Sequence, residues 1–320
     1  MNCIEICAGA GGQALGLEKA GFEAQALVEI DTHACATLRL NRPLWNVIEA
    51  DVKSFSAAPY YGIELVAGGV PCPPFSVAGK QLGADDERDL FPEALRLVDE
   101  ARPQAVMLEN VRGFLDAGFI DYRNNLQRSL KKLGYFSDIR LIQASDYGVS
   151  QLRPRVIIVA LKHQFAEYFE WPKLNLSMPK TVGELLYDLM SVNNWSLAQQ
   201  WREKANTIAP TIVGGSKKHG GPDLGPTRAK KAWMQLGVDG HGIADEAPQE
   251  SFFGLPRLTT RMVARIQGFP DSWRFSGKKT ASYRQIGNAF PPPVAKAVAQ
   301  QLAHCLRMGN RVFSSIEVPV

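Results

Sequence analysis

Between an apolar run at residues 2–8 and a helical pattern that stops at Gly21 stands Gly9-Ala10-Gly11-Gly12, and this junction restricts the fold more than any other stretch. Glycine reaches positive φ without a Cβ clash, so the backbone can turn abruptly from strand into helix. The helix then opens with unbonded N–H groups beside residues that let a ligand approach the main chain. Gly9, Gly11 and Ala14 satisfy the dinucleotide form G-x-G-x-x-A. The alternation repeats: strands are predicted over 24–30, 45–49, 62–67 and 104–108, with helices over 32–40, 91–101 and through Leu126, Leu130 and Leu133 up to Gly134. Strand–helix alternation over 1–130 implies an α/β fold with a doubly wound, mostly parallel sheet. Segments 136–143 and 155–161 read as an antiparallel pair that closes it.

In such sheets ligands bind beyond the carboxyl ends of the strands. Three acids stand there: Glu29, Asp51 and Glu109. Glu29 suits ribose hydroxyls, while Asp31 fits better as the cap of the 32–40 helix. The strand at 62–67 runs into Gly68-Gly69-Val70-Pro71-Cys72-Pro73-Pro74-Phe75-Ser76, which holds a lone thiol in a stiff loop. A reactive cysteine needs thiolate character and access, and an inert one is a small buried hydrophobe; position alone leaves both open.

The chain has 320 residues, enough for a large domain and a smaller one. No run of about 18 apolar residues is present, so no transmembrane helix is expected. Met1 leads directly into a strand without a basic segment, unlike a secretory signal. Cys3, Cys7, Cys35, Cys72 and Cys305 show neither zinc spacing nor a disulfide framework, which suits a reducing cytoplasm and calls for no metal. The net charge of +4 is too small to demand a polyanion, but basic residues crowd the later part of the chain. After Trp171-Pro172 the sequence turns rich in Gly, Pro and Asn. Residues 1–172 read as a cofactor-binding catalytic domain and 173–282 as a loop-rich second domain. The clearest strand of the second domain is 206–213, and it holds a helix inside 256–268. Residues 283–320 lead into a helix over 294–306 that returns to the first domain.

One chemistry uses a thiol loop, a carboxyl and arginines together. C5 of cytosine is a poor nucleophile. A thiolate adding to C6 makes the ring nucleophilic at C5 and splits one hard step into easier ones. Negative charge then develops toward N3 and O2, where Glu109 and a guanidinium of Arg153 or Arg155 would stabilise it. No residue identifies itself as the base for the C5 proton.

Six segments in order resemble the DNA cytosine-5 methyltransferase family, bacterial type, from residue 3 to about 305. They are Cys7-Ala8-Gly9-Ala10-Gly11-Gly12, Gly69 to Ser76, Glu109-Asn110-Val111, Gln151-Leu152-Arg153-Pro154-Arg155, Arg265 to Asp271, and Gln285-Ile286-Gly287-Asn288-Ala289. The resemblance implies a Rossmann-like S-adenosylmethionine-dependent enzyme with a small target-recognition domain. It implies Cys72 as nucleophile, Glu109 at N3 and the exocyclic amine, Arg155 at O2, and Arg153 supporting the loop or the flipped nucleotide. Asn110 would fix the Pro71–Cys72 backbone. The cofactor would lie on Cys7, Ala8, Gly9, Ala10, Gly11, Gly12, Gly69 and Pro71. Glu29 would hold its ribose and Asp51 its adenine amine, with Ile30 and Val52 against the adenine and Leu90, Asn288 and Ala289 as lining. Arg265 would join the domains.

The same resemblance implies base flipping from double-stranded DNA. Ser76, Lys217, Lys218, His219, Arg228, Lys230 and Arg257 are the candidate DNA contacts, though each singly is equally a plain surface charge. A monomer on DNA in the bacterial cytoplasm is implied, functionally paired with a restriction endonuclease or acting as an orphan. Three positions depart from the family: Cys7 for Phe, Met262 for Glu in Arg261-Met262-Val263, and Ala78 for a small polar residue. Three other readings stay open. A tRNA cytosine methyltransferase is disfavoured by the long basic 173–282 segment. A nicotinamide oxidoreductase leaves the Cys72 loop unexplained. A non-catalytic DNA-binding scaffold would be expected to have lost Cys72 or Glu109.

Overall fold

The computed structural model describes residues 1–71, 89–175, 178–215 and 221–316, so Cys72, Ser76, Ala78, Lys217, Lys218 and His219 lie outside the described residues. The strands are β1 (Asn2–Ile6), β2 (Glu23–Glu29), β3 (Val47–Glu49), β4 (Leu65–Gly68), β5 (Ala105–Val111), β6 (Tyr135–Gln143) and β7 (Pro154–Lys162). They form one sheet in the order β3-β2-β1-β4-β5-β7-β6. The first five are parallel, and β7 runs antiparallel between β5 and β6. Helices cover both faces, so the inner strands are near-continuous apolar runs rather than alternating, with Glu5, Glu109 and Asn110 as buried polar exceptions. The pleat divides them: Leu65 and Ala67 of β4 enter one core, and Val66 enters the other.

One face is covered by α3 (Phe91–Ala101) and α4 (Ile120–Lys132), with Phe91, Leu97, Leu126 and Leu130 buried. The other is covered by α1 (Gly12–Lys19), α5 (His163–Ala166) and α11 (Pro292–Ile316), through Leu17, Phe165, Val298 and Leu302. Between α1 and α2 (Thr32–Asn41) the chain passes through Gly21, which takes φ +90°. Asp31 caps α2, accepting from the His33 and Ala34 amides at 3.0 and 3.1 Å.

A further apolar cluster is built by α6 (Val182–Met190), α7 (Ala198–Lys204), α8 (Thr227–Gln235), α9 (Thr260–Ile266) and α10 (Lys279–Asn288). Here the structure corrects the sequence reading twice. The 206–213 segment is no strand: it makes a single parallel bridge, Ala209 to Gln151, because Pro210 removes the next donor. The 173–282 region is rich in loops, with the short helices α6 to α9 set among them. The local signal for α6 is the capping box Thr181-Val182-Gly183-Glu184, in which the Glu184 amide donates to the Thr181 hydroxyl at 3.2 Å. Residues 279–288 form a helix rather than a lead-in, and Tyr283, Ile286 and Ala289 join this cluster beyond residue 282. No helix among the described residues is long and apolar enough to cross a membrane.

α1 and α11 approach closely because Gly16 has no side chain. A Cβ there would stand 2.4 Å from the Ala295 Cβ and 2.7 Å from the Lys296 amide. Helix propensity alone would favour Gly16→Ala by about 1 kcal/mol. Overpacking against backbone costs about 1–3 kcal/mol and should win. We expect Gly16→Ala to lower the thermal midpoint, read by calorimetry; an unchanged or raised midpoint would show that the helices can part freely.

Candidate active site

A cavity of about 660 Å³ opens beyond the carboxyl ends of β1, β2, β4 and β5. The glycine loop forms its floor. Cys7, Gly9 and Gly11 all take positive φ (52°, 55° and 85°), which folds the chain tightly beneath the N-terminus of α1. Glu29 holds this shape: its carboxylate accepts from the Gly9 amide at 2.7 Å, and from the Ile30 and Asp31 amides at 2.9 and 2.8 Å. Asp51 accepts from the Lys53 amide at 2.9 Å. Ile30 is an apolar side chain left 65% exposed on the cavity wall, as a surface awaiting a flat apolar partner would be. Burial, and next the charge of Glu29, pushes the Cys7 thiol up to about 12, so it lines the cavity as a small neutral group.

The wall holds Cys7, Ala8, Gly9, Ala10, Gly12, Glu29, Ile30, Asp51, Val52, Gly69, Pro71, Leu90, Asn288 and Ala289. Gly11 stands apart. A Cβ there would meet Leu38 at 2.7 Å and Trp273 at 2.9 Å, so its place is under the Trp273 ring, whose Nε1 donates to the Ala10 carbonyl at 3.2 Å. Sequence reasoning missed Trp273, whose partner is 263 residues away. It also missed Glu5 and Gln13. Both line the cavity while buried, and each keeps an oxygen without a hydrogen-bond partner among the described residues.

Glu109, at the tip of β5, faces this cavity beside Gly69, where a Cβ would lie 3.5 Å from its Oε2. Oε1 lies 2.6 Å from Arg155 Nε, and the two side chains are each 11% exposed. Pairing of β5 with β7 makes the contact, since Glu109 and Arg155 come from neighbouring strands. Burial raises the Glu109 carboxyl above its ordinary value; the Arg155 and Arg153 charges oppose this without cancelling it. Asn110 Nδ2 donates to the Val70 carbonyl at 2.9 Å, which fixes the chain just ahead of Pro71. The Leu90 amide reaches the Pro71 carbonyl at 3.4 Å.

Arg153 has a different place from Arg155. It is 0% exposed and donates to the carbonyls of Ile212 (2.6 Å), Gly287 (2.8 Å) and Ala289 (3.0 Å). Its Nη groups donate to backbone, so it braces this wall of the cavity. Beside it Gln151 donates to Gln267 at 2.7 Å, and Gln267 donates to the Ala289 carbonyl at 2.6 Å.

Among the candidate DNA contacts, Arg228 is exposed on α8, Lys230 pairs with Asp223 at 2.9 Å, and Arg257 pairs with Asp239 at 2.8 Å. Arg265 binds Asp271, Asp188 and the Leu185 carbonyl, so it ties α9 to α6 inside the helical region instead of joining domains. Met262 takes the capping-box place, its sulfur accepting from the Thr259 amide at 3.4 Å.

The family of C-5 cytosine-specific DNA methylases matches residues 1–304. Among curated relatives, the chain is 59% identical to the Type II methyltransferase M.NgoMIV of Neisseria gonorrhoeae, over 96% of this chain and 98% of that one. It is 56% identical to the Type II methyltransferase M.NaeI of Lentzea aerocolonigenes, over 96% and 76% of the two chains. Its fold is shared with a DNMT2 variant of Spodoptera frugiperda at a TM-score of 0.66 and 18% identity, covering 94% and 99% of the chains. A Glu–Arg pair and a glycine-floored cavity meeting at one sheet edge agree with that match: the chain belongs to the C-5 cytosine-specific DNA methylases and is a DNA cytosine-5 methyltransferase.

Proposed function

We propose that the protein methylates C5 of one cytosine within a specific short duplex sequence, using S-adenosylmethionine, and that it serves as the modification partner of a restriction endonuclease. The observation that carries the chemistry is the buried Glu109–Arg155 pair, set beside Gly69 at the end of the strand that leads into Cys72. The Type II methyltransferases to which the chain is similar support the restriction–modification setting. An orphan methylase is the other setting, and one subunit on one site is the expected assembly.

The residues present fit the cofactor. The cavity volume suits a ligand of that size. Glu29 and Asp51 reach one part of it, Ile30 offers an apolar face, and the orphaned oxygens of Glu5 and Gln13 offer acceptors to an ammonium. When bound, the cofactor supplies an electrophilic methyl group. The protein's own part begins with extrusion of the cytosine, at about a few kcal/mol of unpairing. The Cys72 thiolate forms a bond to C6, and the ring electrons move toward N3. Glu109 donates its proton there, and Arg155 holds the charge growing at O2. C5 then takes the methyl group. A base removes the C5 proton, the S–C6 bond breaks, Cys72 leaves as thiolate, and the N3 proton returns to Glu109.

Transfer of labelled methyl to mixed duplex DNA, with 5-methylcytosine mapped base by base, tests the reading: one recurring short sequence is expected. Transfer to tRNA but not to DNA would overturn it. Cys72→Ser should abolish transfer and leave the dissociation constant for S-adenosylhomocysteine near wild type; appreciable turnover would remove the covalent route.

The raised Glu109 carboxyl sets the sign of a pH effect. Its proton is available below the raised pKa and lost as pH rises through it, so kcat should fall on the alkaline side. Glu109→Gln keeps a hydrogen bond but cannot give up a proton. It should cost about 10²–10⁴ in kcat and flatten that alkaline limb. An unaltered pH profile in the variant would assign the limb to another group.

A further inference from the structure

One wall of the cavity, on α10, carries an arginine that the reaction above does not use. Ala281, Arg284, Gln285 and Asn288 follow each other at i, i+3, i+4 and i+7 along α10, and all four line the cavity. Gln285 is committed: it accepts from the Thr37 hydroxyl at 2.6 Å and donates to the Ser276 carbonyl at 2.8 Å. Asn288 donates to the Gly215 carbonyl at 3.3 Å. Arg284, half-buried, has no side-chain hydrogen bond or ion pair with any described residue.

The acids of the same cavity are drawn to other donors. Glu29 serves three backbone amides, Asp31 caps α2 and Asp51 holds the Lys53 amide. A guanidinium facing such a cavity calls for an anion from the ligand, and a carboxylate matches its two-pronged donor geometry. The cofactor assigned to this cavity carries one anionic group, the α-carboxylate of its methionine part. The place for that group is near the N-terminus of α1, whose free amides also favour an anion. Gly12 there abuts the Ala289–Phe290 link, where a Cβ would stand 2.2 Å from the Phe290 carbonyl oxygen. Arg284 lies five to six residues before that link, near the end of α10, a span of about 8 Å at 1.5 Å per residue, comparable to the reach of an extended arginine.

We propose that Arg284 is a cofactor-binding residue that holds the methionine carboxylate of S-adenosylmethionine; this rests on the reading that the cavity binds that cofactor. Calorimetry on the full chain tests it with two ligands. One is S-adenosylhomocysteine, and the other is its decarboxylated form, which keeps the ammonium and lacks only the carboxylate. Wild type should prefer the first. Arg284→Gln should weaken the first about 10- to 100-fold, the range of a charge-assisted contact, and leave the second unchanged, which also shows that the variant is folded. Arg284→Lys should recover part of the loss. An unchanged constant for S-adenosylhomocysteine, or equal weakening of both ligands, would overturn the proposal. So would an unchanged constant accompanied by weaker duplex binding, which would assign Arg284 to a DNA phosphate. Wild type binding neither ligand would instead remove the cofactor reading itself.

Discussion

The buried guanidinium of Arg153 is the contact on which the rest of the site depends. A fully buried cation costs several kcal/mol unless its donors are satisfied, and breaking such an arrangement costs about 3–5 kcal/mol. Here three carbonyls from two distant segments, Ile212 and Gly287–Ala289, take its Nη donors, while Nε keeps no partner among the described residues. Those segments belong to the helical region and to the end of α10, while Arg153 itself precedes β7. One side chain therefore holds the helical region and the Ala289 wall against the strand that carries Arg155. Gln151 and Gln267 repeat the tie through the same Ala289 carbonyl.

The acids at the strand tips share a position in the fold but differ in environment, and environment decides their chemistry. Glu29 is saturated by backbone amides and acts first as a brace for the glycine loop. Asp31 and Asp51 cap the helical turns that follow them. Glu109 is buried beside Arg155, and burial outweighs the arginine charges, so its proton becomes easier to keep. Position in an open sheet brings carboxylates to one edge; hydrogen bonding then separates structural acids from the reactive one.

Much of this was legible from residue order. Strong local signals, such as Gly9 to Gly12, Asp31 before a helical run, and the Phe91–Ala101 period, act within a few residues and so survive without tertiary context. The parallel sheet followed from alternation. The helical region did not: α6 to α9 are at most nine residues long, too short for period to stand out, and the apolar run at 206–213 is extended without a neighbouring ladder.

The sequence by itself determined the chemistry: a thiol after a strand, an acid at the next strand tip, two arginines two residues apart and a glycine loop, each a property of a short stretch. Only the tertiary structure decided which arginine does which job. Leu152 separates Gln151 from Arg153, and one proline separates Arg153 from Arg155; nothing local tells the two arginines apart. Their difference arises from what packs against them: Glu109 across the β5–β7 ladder for one, three carbonyls 59 to 136 residues away for the other. The same holds for Gly11 beneath Trp273 and for Arg284 on the cavity face of α10. Long-range contacts are specified by the whole packed core, and no window of neighbouring residues contains them.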